Sequence, residues 1–344
     1  MKICVVTNYN NKGYINEQLI FNSLFKTLNI LPQDIFDILD INSVYKINKN
    51  YTHLLILFDY RVTVISPYKT FFSEVKIPKV FLIDTIPQTQ KDLDIEFSTH
   101  ILENKVSHLS CLSHQHQQLL YENFADGLIF HTQQDVNLFN HHYTINKEIP
   151  ATIIPPSLGK EEDIKVNFTH FSPNKNIGFN GSPSYANGIH ILSEILKDLP
   201  DYSANLYGSQ GRSDISNEIL TNYATETNPN IKFKGRLNND SKFFQENHIY
   251  YNVSIYNSFN YFVLTSILNG MVPIISEQSS MVSYFPHYPF IASNNPTSIM
   301  DVLKSINITS DESLKSILQN TVSNLKHLND EFTKEQYYNF LNTL

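Results

Sequence analysis

The sequence predicts an α/β protein built from two doubly wound, parallel-sheet domains. Short β-branched runs alternate with longer amphipathic segments, the pattern of βαβ units. The alternation stops at about residues 155–175, which hold Pro155-Pro156, a charged run at 160–165 and Pro173, and then restarts. The length, 344 residues, suits two domains of ordinary size.

Each element has a local reason. Lys2–Thr7 reads as a strand and Ile15–Leu28 as a helix. His53–Phe58 and Lys79–Ile83 are further strands, residues 111–123 a helix, Gly127–Phe130 a strand, Gln133–Asn140 a helix, and Ala151–Ile154 a strand stopped by Pro155. In the second half, Asn176–Phe179 is a strand ending at Asn180-Gly181, and Ile189–Leu199 a helix. Ala204–Tyr207 ends at Gly208 and Ile231–Phe233 ends near Gly235. Tyr250–Ile255 is a strand, Tyr261–Asn269 a helix with Gly270 as its C-terminal glycine, and Val272–Ile275 a strand. Residues 296–306, 311–326 and 330–343 read as helices. The expected division is 1–160, 161–325, and a C-terminal segment, 326–344, that packs back on the first domain.

Composition narrows the function. With 41% hydrophobic, 12% aromatic and 17% charged residues, the chain can build real cores, which excludes a disordered or collagen-like protein. Net charge is −8. Split at residue 164, the first part carries 13 Lys+Arg against 18 Asp+Glu and the second 12 against 15, so neither half is a basic module and nucleic acid is disfavoured as a partner. The two cysteines, Cys4 and Cys111, make neither a disulfide framework nor a Cys-rich zinc site. The first apolar run is too short for a signal peptide, and no apolar stretch reaches membrane-span length, so a soluble cytoplasmic protein is the expectation. His114-Gln115-His116 and His141-His142 have no carboxylate or cysteine set at ligand spacing, so no metal and no cofactor are expected. Gly-x-Ser-x-Gly, the Gly-x-x-x-x-Gly-Lys-Ser/Thr loop and a first-turn Gly-x-Gly-x-x-Gly are all missing, which argues against a hydrolase, a P-loop ATPase and a dinucleotide oxidoreductase.

Four segments, in order, resemble a known family. Ala125-Asp126-Gly127-Leu128-Ile129-Phe130-His131-Thr132 ends a strand and caps a helix. Ala151-Thr152-Ile153-Ile154-Pro155-Pro156-Ser157-Leu158-Gly159 leads from a strand into the linker. Ile177-Gly178-Phe179-Asn180-Gly181-Ser182, followed by Gly188, forms a strand and phosphate-type loop. Tyr256-Asn257-Ser258-Phe259-Asn260 through Thr265 to Asn269-Gly270-Met271-Val272-Pro273-Ile274-Ile275 forms the last strand–loop–helix–strand. Together they resemble the GT-B glycosyltransferases of the group 1, nucleotide-sugar type, over nearly the whole chain.

The resemblance implies two Rossmann-like domains around an interdomain cleft, with a UDP- or GDP-type sugar donor on the second. A glycan or glycoconjugate acceptor would sit on the first, and hexosyl transfer would need no metal. It implies donor contacts at Gly181, Ser182, Asn257, Ser258, Phe259, Asn260 and Thr265, and acceptor or cleft positions at Asn8, Gly13 and His131. This sequence departs from the family where charge is usual. Asn257 and Thr265 stand in place of a pair of glutamates, and Ser182 and Asn187 in place of an arginine and a lysine.

Gly181-Ser182-Pro183-Ser184 can present N–H groups to a diphosphate, and it can equally be an ordinary strand–loop–helix turn. Arg212 and Arg236 each follow a strand end, in a chain with few arginines, and are the cations best placed to meet a leaving diphosphate. Asn257, Ser258, Asn260 and Thr265 can bond sugar hydroxyls without charge, or simply cap a helix. Asp84, at the end of a strand, is the candidate base for an inverting reaction, with Asp59 as runner-up; a turn or helix cap is its plainer reading.

Two other readings stay open: a non-catalytic GT-B-like partner of a true transferase, and a phage-type DNA base glucosyltransferase. Membrane-surface docking occurs in the family, but the first domain has no strong Lys/Arg cluster. Retaining or inverting stereochemistry and oligomeric state are left open.

Overall fold

The computed structural model describes residues 1–7, 15–38, 40–57, 65–83, 106–181, 187–208, 221–222, 224–237, 240–254 and 259–344. The chain divides into two compact units, Met1–Lys160 with Leu328–Leu344, and Glu161–His327.

The first unit runs β1 (Ile3–Thr7), α1 (Ile15–Leu28), β2 (Ile35–Asp37), α2 (Ser43–Asn50), β3 (His53–Leu57), α3 (Ser66–Glu74), β4 (Lys79–Ile83), α4 (Val106–Phe124), β5 (Gly127–Phe130), α5 (Gln133–His142) and β6 (Ala151–Ile153). All strands are parallel, in the order β2-β1-β3-β4-β5-β6. Val5 pairs with Leu55, Leu55 with Val80, and Val80 with Gly127. Helices cover both faces of such a sheet, so its inner strands are apolar at successive positions rather than alternating. Leu54, Leu55, Ile56 and Leu57 are all buried, as are Val80, Phe81, Leu82 and Ile83. Beneath them Phe72, Phe81, Tyr121, Phe139 and Tyr143 pack largely edge to face. Gln117 accepts the hydroxyls of Tyr121 and Tyr143 inside that cluster. Thr132 caps α5 by accepting from Asp135 N at 3.0 Å.

The second unit runs β7 (Asn176–Asn180), α6 (Ile189–Asp198), β8 (Ser203–Tyr207), β9 (Ile231–Gly235), α7 (Asp240–Glu246), β10 (Ile249–Asn252), α8 (Tyr261–Leu268), β11 (Val272–Ser276), β12 (Ile291–Ala292), α9 (Pro296–Ile308) and α10 (Asp311–Leu325). Its parallel sheet has the order β12-β11-β10-β7-β8-β9. The chain winds outward from β7 to β9, returns to the other side of β7 as β10, and continues outward to β12. The reversal therefore falls between β7 and β10, and an open sheet of this kind leaves a crevice outside the strand ends at that point. Gly270, with φ +80°, follows α8 and donates to Ile267 O at 2.9 Å, the predicted glycine stop.

A last helix, α11 (Asp330–Leu341), belongs to the first unit and packs on α1. A Cβ at Gly127 would lie 2.9 Å from Leu344 Cδ1 and 3.1 Å from Phe340 Cζ, so a larger residue there would push the ends of these C-terminal side chains away from β5. The structure adds β2, α2, α3, α7 and β12 to the elements read from the sequence. Among the described residues, no helix is long and apolar enough to cross a membrane.

Candidate functional site

At the switch point of the second unit, β7 ends at Asn180 and Gly181. Gly181 has φ +151°, and its N–H continues the sheet by donating to Tyr207 O at 2.9 Å. The chain re-enters at Gly188, with φ +69°, which is the N-cap of α6. A Cβ on Gly188 would fall 2.6 Å from Val253 O and 2.9 Å from Tyr251 Oη. The N-terminus of α6 is therefore pressed against the carboxyl end of β10, a distance that a side chain would not permit. Tyr251 Oη donates to Gly188 O at 2.9 Å.

β10 ends in Asn252, followed by Val253 and Ser254, all three buried. Asn260 caps α8: its Oδ1 accepts from Phe262 N at 3.0 Å, and its Nδ2 donates to Asn252 Oδ1 at 2.9 Å. Two helices thus open at the carboxyl edge of neighbouring strands. A helix N-terminus carries unsatisfied N–H groups and partial positive charge, which suits anionic oxygen. His190, in the first turn of α6, has its imidazole pKa lowered to about 4 by burial against the pull of Glu194, so it is neutral near pH 7.

Of the residues singled out in the sequence, Gly181, Phe259, Asn260 and Thr265 lie on β7, α8 and their flanks. Phe259 is buried with its ring edge-on to Tyr284 at 5.7 Å, so what it can offer a ligand is backbone. Thr265 lies within α8 and donates its hydroxyl to Tyr261 O at 3.1 Å. Arg236 is exposed just past β9, next to Gly235, whose φ is +73° and whose carbonyl accepts from Gly208 N at 2.8 Å. The chain has three arginines, Arg61, Arg212 and Arg236, and only the last is among the described residues. Asp84, Asp59, Asn8, Gly13, Ser182, Arg212, Asn257 and Ser258 lie outside the described residues.

His131 belongs to the first unit. Its Nδ1–H donates to Ile154 O at 3.0 Å, and burial lowers its pKa to about 4. The ring lines a void of about 10 Å³ together with Leu82, Ser157 and Tyr337, room for one water at most. The sequence reading missed Tyr251 and Asn252. Both sit inside a run read only as strand, and nothing local distinguishes them from packing residues.

Neither a protein-family model nor a curated protein sequence matches this chain. Solved structures do. HepE of Anabaena, in complex with UDP and glucose, is 14% identical, with TM-score 0.75 and 100% of each chain covered. Sucrose-phosphate synthase from Thermosynechococcus elongatus is 10% identical, with TM-score 0.75, covering 100% of this chain and 99% of that one. The α,α-trehalose 6-phosphate synthase of Burkholderia multivorans is 11% identical, with TM-score 0.63, covering 89% of this chain and 74% of that one. The fold is that of the GT-B glycosyltransferases, two parallel six-stranded sheets flanked by helices, as the sequence predicts.

Proposed function

We propose that the protein is a glycosyltransferase that takes a hexosyl group from a UDP- or GDP-type sugar donor and passes it to a glycan or glycoconjugate, acting in the cytoplasm and without a metal. The observation that carries this reading is the β7/β10 switch point of the second unit, where α6 and α8 open at the carboxyl ends of these two neighbouring strands, on opposite faces of the sheet. The HepE structures, of the same fold, hold UDP and UDP-glucose. Departure of a nucleoside diphosphate builds negative charge on the leaving oxygen. Fixed N–H groups and cations lower the barrier when they already point at that charge. Here the N–H groups of the two helix starts supply the dipoles, with Arg236 and Arg212 as the cations. Gly181 and Ser182 line the diphosphate. Asn257, Ser258, Phe259, Asn260 and Thr265 bond ribose or sugar through neutral groups and backbone. Asp84 takes the proton of the acceptor hydroxyl if the reaction inverts.

A second reading rests on one observation. Ser182, Asn187, Asn257 and Thr265 are all neutral, at positions where the resemblance to the GT-B family implies charge, which is also what a non-catalytic partner of a true transferase would show. A thermal-shift series with UDP, GDP, CMP, ADP and dTDP, with and without EDTA, separates the two. A ligand that binds only the native state raises the melting temperature. The expected result is a shift with UDP or GDP, insensitive to EDTA and reduced in Arg236→Ala. No shift with any of the five at millimolar concentration would overturn the transferase reading in favour of the partner subunit.

A further inference from the structure

We propose that Tyr251 and Asn252, the last two residues of β10, are the positioning residues of the donor site, each holding the start of one diphosphate-facing helix. The inference rests on the donor-site reading above. Successive side chains of a strand point to opposite faces of the sheet. Tyr250 and Asn252 share one face: Tyr250 packs its ring on Phe262 of α8 at 5.2 Å, and Asn252 bonds Asn260, the cap of the same helix, at 2.9 Å. Tyr251 points to the other face, where its hydroxyl reaches Gly188 O, the N-cap carbonyl of α6, at 2.9 Å. Two adjacent residues of a central strand thereby fix two helix starts, one above and one below the sheet.

The two tethers are buried. Tyr251 is fully inaccessible and Asn252 is 6% exposed. Burial pushes the Tyr251 phenol pKa upward, so it stays a hydrogen-bond donor at any working pH. Water cannot easily replace the Tyr251–Gly188 bond, because Val253 O already lies against Gly188. The helix starts matter more here than they would beside an arginine–lysine pair, since Ser182 and Asn187 bring no charge. Backbone dipoles stabilise a developing charge only when held in place beforehand, so loosening a tether should weaken contact with phosphate and leave base recognition alone.

The test compares the full chain with Tyr251→Phe and Asn252→Ser, measuring by calorimetry the affinity for UDP against uridine and for GDP against guanosine. Each substitution is expected to weaken the diphosphate about five-fold, the worth of one lost hydrogen bond, with nucleoside affinity unchanged. A role confined to general stability would lower both affinities alike or neither, and either result overturns the proposal. If one variant fails to fold, the other decides, because the two tethers act on different helices. If the unsubstituted protein binds neither diphosphate, the donor-site reading fails first and this inference falls with it. Diphosphate binding that is identical in protein and variants overturns the positioning role alone.

Discussion

His248 shows how one buried residue couples this protein to pH. It precedes β10, and its N–H donates to Asn176 O at 3.0 Å, while its ring stands edge-on to Phe171 at 5.1 Å. Burial lowers its pKa from 6.5 to about 4, with Asp311 pulling weakly the other way. A depressed histidine is neutral in the folded state and protonates first in the unfolded one. The folded state therefore loses stability as pH falls from about 6.5 towards 4, and recovers it as pH rises. Between pH 7 and pH 5 this one group should cost about 2 kcal/mol. Urea unfolding of the protein and of His248→Gln at both pH values checks it. The variant is expected to be less stable at pH 7 but to lose less on acidification, and an unchanged difference between the two pH values would refute the assignment. His131 and His190, also lowered to about 4, act in the same direction. At this scale the sequence marks some residues and hides others. Asn260 is legible as a cap because an amide precedes an apolar run. Its second bond, to Asn252, depends on how β10 returns into α8.

At the scale of elements, the glycine at the start of α6 is the sharpest constraint. Gly188→Ala has to adopt φ +69° and place a methyl group 2.6 Å from the Val253 carbonyl, a backbone atom that cannot swing aside. Gly235→Ala meets the same left-handed requirement at φ +73° but has nothing within 4 Å. Gly235→Ala is expected to cost about 1 kcal/mol from backbone strain alone, and Gly188→Ala about 2–4 kcal/mol with a weakened nucleotide response. Thermal melts of the two variants rank them, and equal losses would mean that the α6–β10 contact yields easily. The elements that escaped the sequence reading did so for separate reasons. β2 has three residues, too few for a period. α3 opens Ser66-Pro67, where proline reads as a breaker yet serves in the first turn. α2 is rich in asparagine and lysine, and it is the full burial of Ile47 that holds it in place.

The whole molecule adds a feature that no single element contains: the C-terminus completes the first unit. Asp330 Oδ1 accepts from Ser157 Oγ at 2.6 Å and from Thr27 Oγ1 at 3.2 Å, and Asp330 N donates to Gly159 O at 2.9 Å. Leu158 N donates to Leu328 O at 2.8 Å, so the segments that leave and re-enter the unit lie side by side. Removing residues 328–344 is expected to lower the melting of the first unit and leave that of the second unchanged. Asp330→Ala should do the same more mildly, by about 1–3 kcal/mol. Differential scanning calorimetry distinguishes the transitions, and equal lowering of both would show that α11 does not belong to the first unit alone.

The sequence by itself determined most of the strands and most of the helices. A strand buried on both faces must be apolar over its buried run, and that signal is local, as in Leu54–Leu57 and Val272–Ile275. It also determined the turns that need glycine and the restart that divides the chain. Only the tertiary structure decided that β10 lies beside β7 rather than at a sheet edge, because strand order is set by which crossovers bury both faces. From that one adjacency follow the meeting of Tyr251 with Gly188, 63 residues away, and the convergence of two helix starts. Hydrogen bonds between distant residues leave no periodicity in a chain, so the groups that position the candidate site became visible only once the sheet was assembled.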